Sequence, residues 1–209
     1  MKLYLTPASP YARKVRIVAL EAGITEVIDL IEVDLAAPLA DFLAANPLGK
    51  VPALVTDEGG TLFDSPVICE YLAEMGGDLT LFPPPGPARW AALRKQALGD
   101  GIMDAAVFNM LELRRDEAQR SPQMMARREG QVLKALDVLD AETGKEDSRE
   151  EDGGAAPTIG DISVACGLGY LDFRFADLDW RSGRDNLAAW HKTFAKRPSW
   201  RETMPQNPA

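Results

Sequence analysis

Histidine and cysteine are nearly absent: the chain has one of the former, His191, and two of the latter, Cys69 and Cys166. The cysteines lie far apart, form no C-x-x-C pair and have no histidine near them in sequence. That excludes a recognisable zinc site and a dithiol motif, and no metal is expected. Both cysteines fall within apolar helical patterns, so they read as buried, inert thiols. Basic residues are also scarce. Lys and Arg number 23 against 32 Asp and Glu, a formal net charge of −9. The deficit argues against nucleic acid and against anionic membrane, because basic patches supply most of the affinity for both. Long apolar runs are missing as well: the opening run is too short for a secretory signal, and no segment is long enough to span a bilayer. A cytoplasmic protein without internal repeats is the expectation.

What is present is length for one large domain or two small ones, 209 residues in all. Near the start, Leu3-Tyr4-Leu5 reads as a strand that turns through Thr6-Pro7-Ala8 into Ser9-Pro10. Serine is a favoured N-cap, and proline fits the first helical position because its missing N–H has no partner there anyway. A helix therefore starts at Ser9. Its unpaired N–H groups and dipole make a small electropositive corner suited to an anion. Arg13, Lys14 and Arg16 follow within two turns. The competing reading is an ordinary helix cap followed by solvated basic residues.

Gly23 closes that helix, and residues 27–33 alternate as a second strand, giving a parallel βαβ unit. A short helix over 39–45 follows, then a loop from 46 that becomes a strand through Val55, with Pro52 confined to its beginning or edge. Asp57-Glu58-Gly59-Gly60 turns the chain and 61–63 returns antiparallel. Asp64-Ser65-Pro66 repeats the first corner and opens a helix that ends at Gly76-Gly77. Residues 1–77 thus read β-α-β-α-β-β-α. The prolines of 81–87 exclude helix and central strand, so 78–87 reads as a linker. Residues 88–209 read as helical. One helix runs from 88 to about 120, weakened or bent at Gly99 and Gly101, and another spans 122–142. A charged, mobile loop is expected over 142–156. Thr158-Ile159-Gly160-Asp161 makes a capping box with Asp for the usual Glu and opens a helix through 173, in which Gly167 and Gly169 admit a close neighbour. The last helix covers 186–196.

Residues 9–16, the loop Asn46-Pro47-Leu48-Gly49-Lys50-Val51-Pro52 and the turn from Asp64 through Tyr71-Leu72 together resemble the glutathione-site motifs of the glutathione S-transferase family, in order and spacing. Residues 158–161 resemble its folding cap and 190–198 its C-terminal signature. The resemblance, to serine-type, bacterial-like cytosolic members, covers essentially the whole chain. It implies an α+β protein with a thioredoxin-like N-terminal domain followed by an all-helical C-terminal domain.

The resemblance further implies that glutathione is a co-substrate and that site residues carry over position by position. Val51 offers its backbone N–H and C=O to the cysteinyl unit, with Pro52 in the cis form. Ser65 receives the γ-glutamyl carboxylate, and Asp64 adds polarity or meets the ammonium, where the family more often has Glu or Gln. Lys50 meets the glycyl carboxylate or is a solvated loop lysine. Ser9 donates to the thiolate; Thr6 is a weaker candidate, and Tyr4 and Tyr11 fall inside strand and helix. A glutaredoxin-like Cys-Pro-Tyr-Cys is replaced by Ser9-Pro10-Tyr11-Ala12, so disulfide exchange at this site is not expected. Asp100 and Asp104 share a helix face, which either nears the glutathione ammonium across an intersubunit cleft or is simply solvated. His191 reads as a surface or packing residue. The implied activity is conjugation of glutathione to a small, largely apolar electrophile in a cleft whose apolar side is residues 99–115. A glutathione- or partner-binding protein of little turnover and a glutathione-dependent isomerase are the alternatives. A homodimer is implied too.

Overall fold

The computed structural model describes residues 1–77, 79–144 and 156–207. Most of the charged segment expected as a loop, 145–155, lies outside the described residues, as does the first position of the expected linker.

Four strands form one mixed sheet in the order β2-β1-β3-β4. β1 (Lys2–Leu5) pairs in parallel with β2 (Asp29–Glu32), from Lys2 opposite Asp29 to Leu5 opposite Glu32. On its other side β1 pairs antiparallel with β3 (Ala53–Val55), Tyr4 facing Ala53, and β3 pairs antiparallel with β4 (Thr61–Leu62). Side chains alternate across the sheet. Leu3, Leu5 and Leu54 therefore meet α1 (Pro10–Glu21) and α3 (Ser65–Gly76) through Val15, Val18, Ile68 and Leu72. Tyr4 and Ala53 face the opposite way, against Phe42 and Ala45 of α2 (Ala40–Ala45).

The β-α-β-α-β-β-α order matches the sequence reading, with two strands shorter than expected: β4 stops at Leu62, and β2 covers only Asp29–Glu32. Residues Thr25–Val27 form a 3₁₀ turn, and the β2 ladder begins only where the Asp29 N–H reaches the Met1 carbonyl. β1 offers Val27 nothing to pair with beyond the terminal ammonium, which donates to the Val27 carbonyl at 2.8 Å.

The rest of the described chain is helical: α4 (Pro87–Leu113), α5 (Pro122–Thr143), α6 (Ile159–Arg174), α7 (Asp185–Phe194) and α8 (Pro198–Glu202). α4 stops short of 120. Arg114, Arg115 and Asp116 have no apolar face to bury, and a 3₁₀ turn at Glu117–Gln119 leads to Ser121, whose hydroxyl caps α5. α4 runs unbroken through Gly99. A Cβ there would lie 2.4 Å from the backbone of Ser163, so α4 and α6 cross with their main chains in contact. Gly160 repeats the device, its absent Cβ 2.6 Å from the Ala92 carbonyl oxygen. Gly169 admits side chains instead of a helix: the Trp200 ring and the Arg13 guanidinium occupy its space. The Thr158–Asp161 capping box forms, with the Thr158 N–H donating to the Asp161 carboxylate at 2.9 Å. No helix among the described residues is long and apolar enough to cross a membrane.

Candidate active site

Strand directions bring the three motifs together. β1 ends at Leu5 and leads to Ser9; β3 runs antiparallel to β1, so its start, preceded by Val51-Pro52, lies beside that end. β4 runs antiparallel to β3, so its exit into Asp64-Ser65 is at the same edge. The convergence follows from register alone.

Ser9 is the N-cap of α1 and nine-tenths buried. Its oxygen accepts from the Ala12 N–H at 3.2 Å, and its own N–H donates to the Thr6 carbonyl at 3.0 Å. The hydroxyl keeps a proton that no described residue accepts. Thr6 shapes the turn through its carbonyl. Tyr4 packs on Phe42 on the other sheet face, with ring centroids 5.7 Å apart. Tyr11 donates its hydroxyl to Asp104 at 2.5 Å. Burial, reinforced by that carboxylate, pushes the phenol far above its usual range. Tyr11 therefore stays protonated with its proton already committed.

Asn46, which sequence reading treated only as part of a motif, organises the second loop. It is 2% exposed; its amide donates to the Lys50 carbonyl at 2.7 Å and accepts from the Leu48 N–H at 3.0 Å. Gly49 supplies the positive φ of 62° that this tight course needs. The Val51–Pro52 peptide is cis, and no described residue pairs with the Val51 N–H or C=O. Lys50 extends from this loop as an exposed side chain.

The third corner differs from the first, correcting the expectation of a repeat. Asp64 is the N-cap of α3 but its side chain makes no capping bond, and Ser65 already occupies the first helical position. Ser65 is 1% exposed and its hydroxyl has no partner among the described residues. With Pro66 lacking an N–H, the Ser65 and Val67 N–H groups are the open donors of this helix end. The Phe63–Asp64 peptide is also cis.

Of the basic residues after Ser9, Arg13 and Lys14 are buried and Arg16 is half-buried, and all three tie α1 to the helical domain. Lys14 is fully buried and pairs with Asp100 at 2.6 Å, and the Ser163 hydroxyl donates to the same carboxylate at 2.5 Å. Asp100 is thus committed to Lys14, while Asp104 stays exposed and accepts from Tyr11, so only Asp100 departs from the expected solvated face. Arg13 lies over the Trp200 ring at 3.5 Å, and Arg16 donates to the Glu202 carbonyl at 3.2 Å. Glu21 completes the series with Arg197 at 2.7 Å. A signal existed: Lys14 falls between Pro10 and Ile17-Val18 on the buried stripe of α1. His191 is a packing residue, edge-on to Trp180 and Trp200 at 5.5 and 5.3 Å. Cys69 and Cys166 are buried, which pushes both thiols up to about 12 and leaves them unreactive. Among the described residues no group of three His, Cys, Asp or Glu side chains is placed to hold a metal.

Known proteins share this fold. The family models "Glutathione S-transferase, N-terminal domain" and "Glutathione S-transferase, C-terminal domain" match residues 8–75 and 122–193. The GST-like protein YibF of Escherichia coli K12 is 36% identical over 98% of each chain. A glutathione transferase family member from Pseudomonas fluorescens Pf-5, solved with bound glutathione, is 41% identical with a TM-score of 0.89 over 99% of each chain. A glutathione S-transferase from Methylobacillus flagellatus KT, also with glutathione bound, is 37% identical, with a TM-score of 0.89 over 98% of this chain and 99% of its own.

Proposed function

Since the chain belongs to the glutathione S-transferase family, we propose that it binds glutathione at the sheet edge and uses Ser9 to hold the thiolate for attack on a small electrophile. The observation that carries the reading is the convergence of three complementary open groups at one edge: a hydroxyl proton at Ser9, a backbone donor and acceptor at Val51, and an unfilled helix N-terminus at Ser65. They match what the tripeptide brings. Val51 pairs with the cysteinyl unit as an added strand would; the Ser65 N–H and hydroxyl receive the γ-glutamyl carboxylate. Asp64 faces the adjacent ammonium and Lys50 the glycyl carboxylate. The glutathione held by the Pseudomonas and Methylobacillus relatives supports this reading.

Chemistry then needs a more acidic thiol. A free thiol with a pKa near 8.5 is a few per cent ionised at pH 7, and lowering it by about two units stabilises the thiolate by about 2.7 kcal/mol. A charge-assisted hydrogen bond from Ser9, together with the positive end of α1, is of that size. The thiolate attacks the electrophile, the new carbon–sulfur bond forms, and any leaving group departs with the electron pair. α4 supplies the apolar wall of the cleft, and a homodimer pairs the sheet domain of one subunit with the helical domain of the other.

Thiolate absorbance of the glutathione complex, titrated against pH, tests the assignment. Ser9→Ala is expected to raise the bound thiol's pKa and to slow conjugation in parallel. Unchanged values for both would remove Ser9 from the reaction. Bound glutathione with no thiolate band, and no conjugation across a panel of electrophiles, would instead mean a binding protein.

A further inference from the structure

Beyond Ser9 the polar groups of the helical side are unevenly paired. Tyr11, two residues past Ser9, gives its proton to Asp104 at 2.5 Å. Tyr170 of α6, 7% exposed, lies near Tyr11 and near two cations, Arg174 and Arg114. Burial pushes the Tyr170 phenol above its usual range against the pull of both arginines, so the hydroxyl keeps its proton at pH 7. Arg174 is also tied to the turn that delivers Ser9. Its Nη1 donates to Asn207 Oδ1 at 2.6 Å, and the preceding residue, Gln206, donates its N–H to the Pro7 carbonyl at 3.4 Å.

Neither arginine pairs with a carboxylate among the described residues. Arg174 is the last residue of α6 and Arg114 the C-cap of α4, where the helix dipole favours a cation. A solvated side chain would satisfy that preference, and Arg114 is exposed. Arg174 is different: it is half-buried over the Phe173 ring at 4.0 Å, and its Nε is buried with no hydrogen-bond partner. An amide and a ring face fix the planar fork but leave its charge unanswered, in a protein whose net charge is −9. Asp104 does not answer it, because that carboxylate accepts from Tyr11, toward Ser9. The cleft thus carries its negative charge on the Ser9 side and an uncompensated positive charge beside Tyr170.

We propose, on the conjugating function set out above, that this end of the cleft is a carboxylate subsite, so that the electrophile is an alkylating agent bearing a carboxylate. The Arg174 guanidinium and the Tyr170 hydroxyl receive the carboxylate, Arg114 adds charge at the mouth, and the reacting carbon faces the sulfur at Ser9.

Calorimetry with two glutathione conjugates reads the subsite without turnover. S-(4-carboxybenzyl)glutathione and S-(4-carbamoylbenzyl)glutathione share a shape and differ by one charge. The carboxylate is expected to bind about tenfold more tightly. Arg174→Gln, which keeps a donor for Asn207, should bring that ratio to about one, and Arg114→Gln should reduce it about threefold. The same preference is expected in kcat/KM for 4-(chloromethyl)benzoate over 4-(chloromethyl)benzamide, each relative to its uncatalysed rate. In both, the carbon–sulfur bond forms as chloride leaves with the bonding pair. Equal binding of the two conjugates to the wild type, or a preference that survives both substitutions, overturns the subsite. Turnover is read separately: a carboxylate preference in binding, with neither chloride turned over and no thiolate band, would support the subsite while overturning the conjugating function.

Discussion

Two helices begin at the same edge with the same dipeptide, yet their first turns are built differently. At α1 the serine of Ser9-Pro10 is the cap, so its oxygen is spent on the Ala12 N–H and only its proton is left over. At α3 the serine of Ser65-Pro66 is one position further in; Asp64 holds the cap position without capping, and donors and hydroxyl alike stay open. A shift of one residue turns a satisfied end that offers a proton into an open end that suits an anion. The helices differ along their length too. α1 is fastened to the helical domain by Tyr11, Arg13, Lys14, Arg16 and Glu21, whereas α3 joins the start of α4 through the Glu70–Arg89 pair.

Breaking the fastening gives the largest expected effect. Lys14→Ala leaves the Asp100 carboxylate without its buried partner, and should lower stability by about 3–5 kcal/mol in urea unfolding. A loss below about 1 kcal/mol would mean that α1 does not depend on this pair. Next, Ser9→Ala should slow conjugation about a hundredfold, the equivalent of about 2.7 kcal/mol, with little change in the KM for glutathione. It should also lower stability by about 1 kcal/mol through the lost cap. Ser65→Ala should do the reverse: glutathione binding about tenfold weaker by calorimetry, kcat nearly unchanged, and stability within about 0.5 kcal/mol of wild type. Should Ser65→Ala destabilise the fold more than Ser9→Ala, the contrast between the two ends would be wrong. Smallest of all, Asp64→Asn should weaken glutathione by about threefold and leave stability unchanged, because that carboxylate caps nothing.

The sheet domain was legible because each of its elements is announced locally: prolines and serines at helix starts, glycines at ends, alternation in strands. The convergence of Ser9, Val51 and Ser65 was legible only as a possibility, since it depends on which strands pair and in which direction. Three features escaped because local patterns point the other way. Basic residues near a helix start read as solvated, and only the partners on α4 and α8, far along the chain, show that Arg13 and Lys14 are buried. α8 is five residues long, too short to display a period. The role of Asn46 is carried by two bonds within its own loop, which a motif names but does not explain.

The glycine at 99 has a bearing on what the cleft can accept. Where two main chains touch with no side chain between them, there is no compressible layer, and neither rod can recoil without prying the other loose. The surface proposed to receive the electrophile is therefore a stiff double beam. Adjusting it to a bulkier guest would fall to side chains that can change rotamer, since the main chains cannot give way.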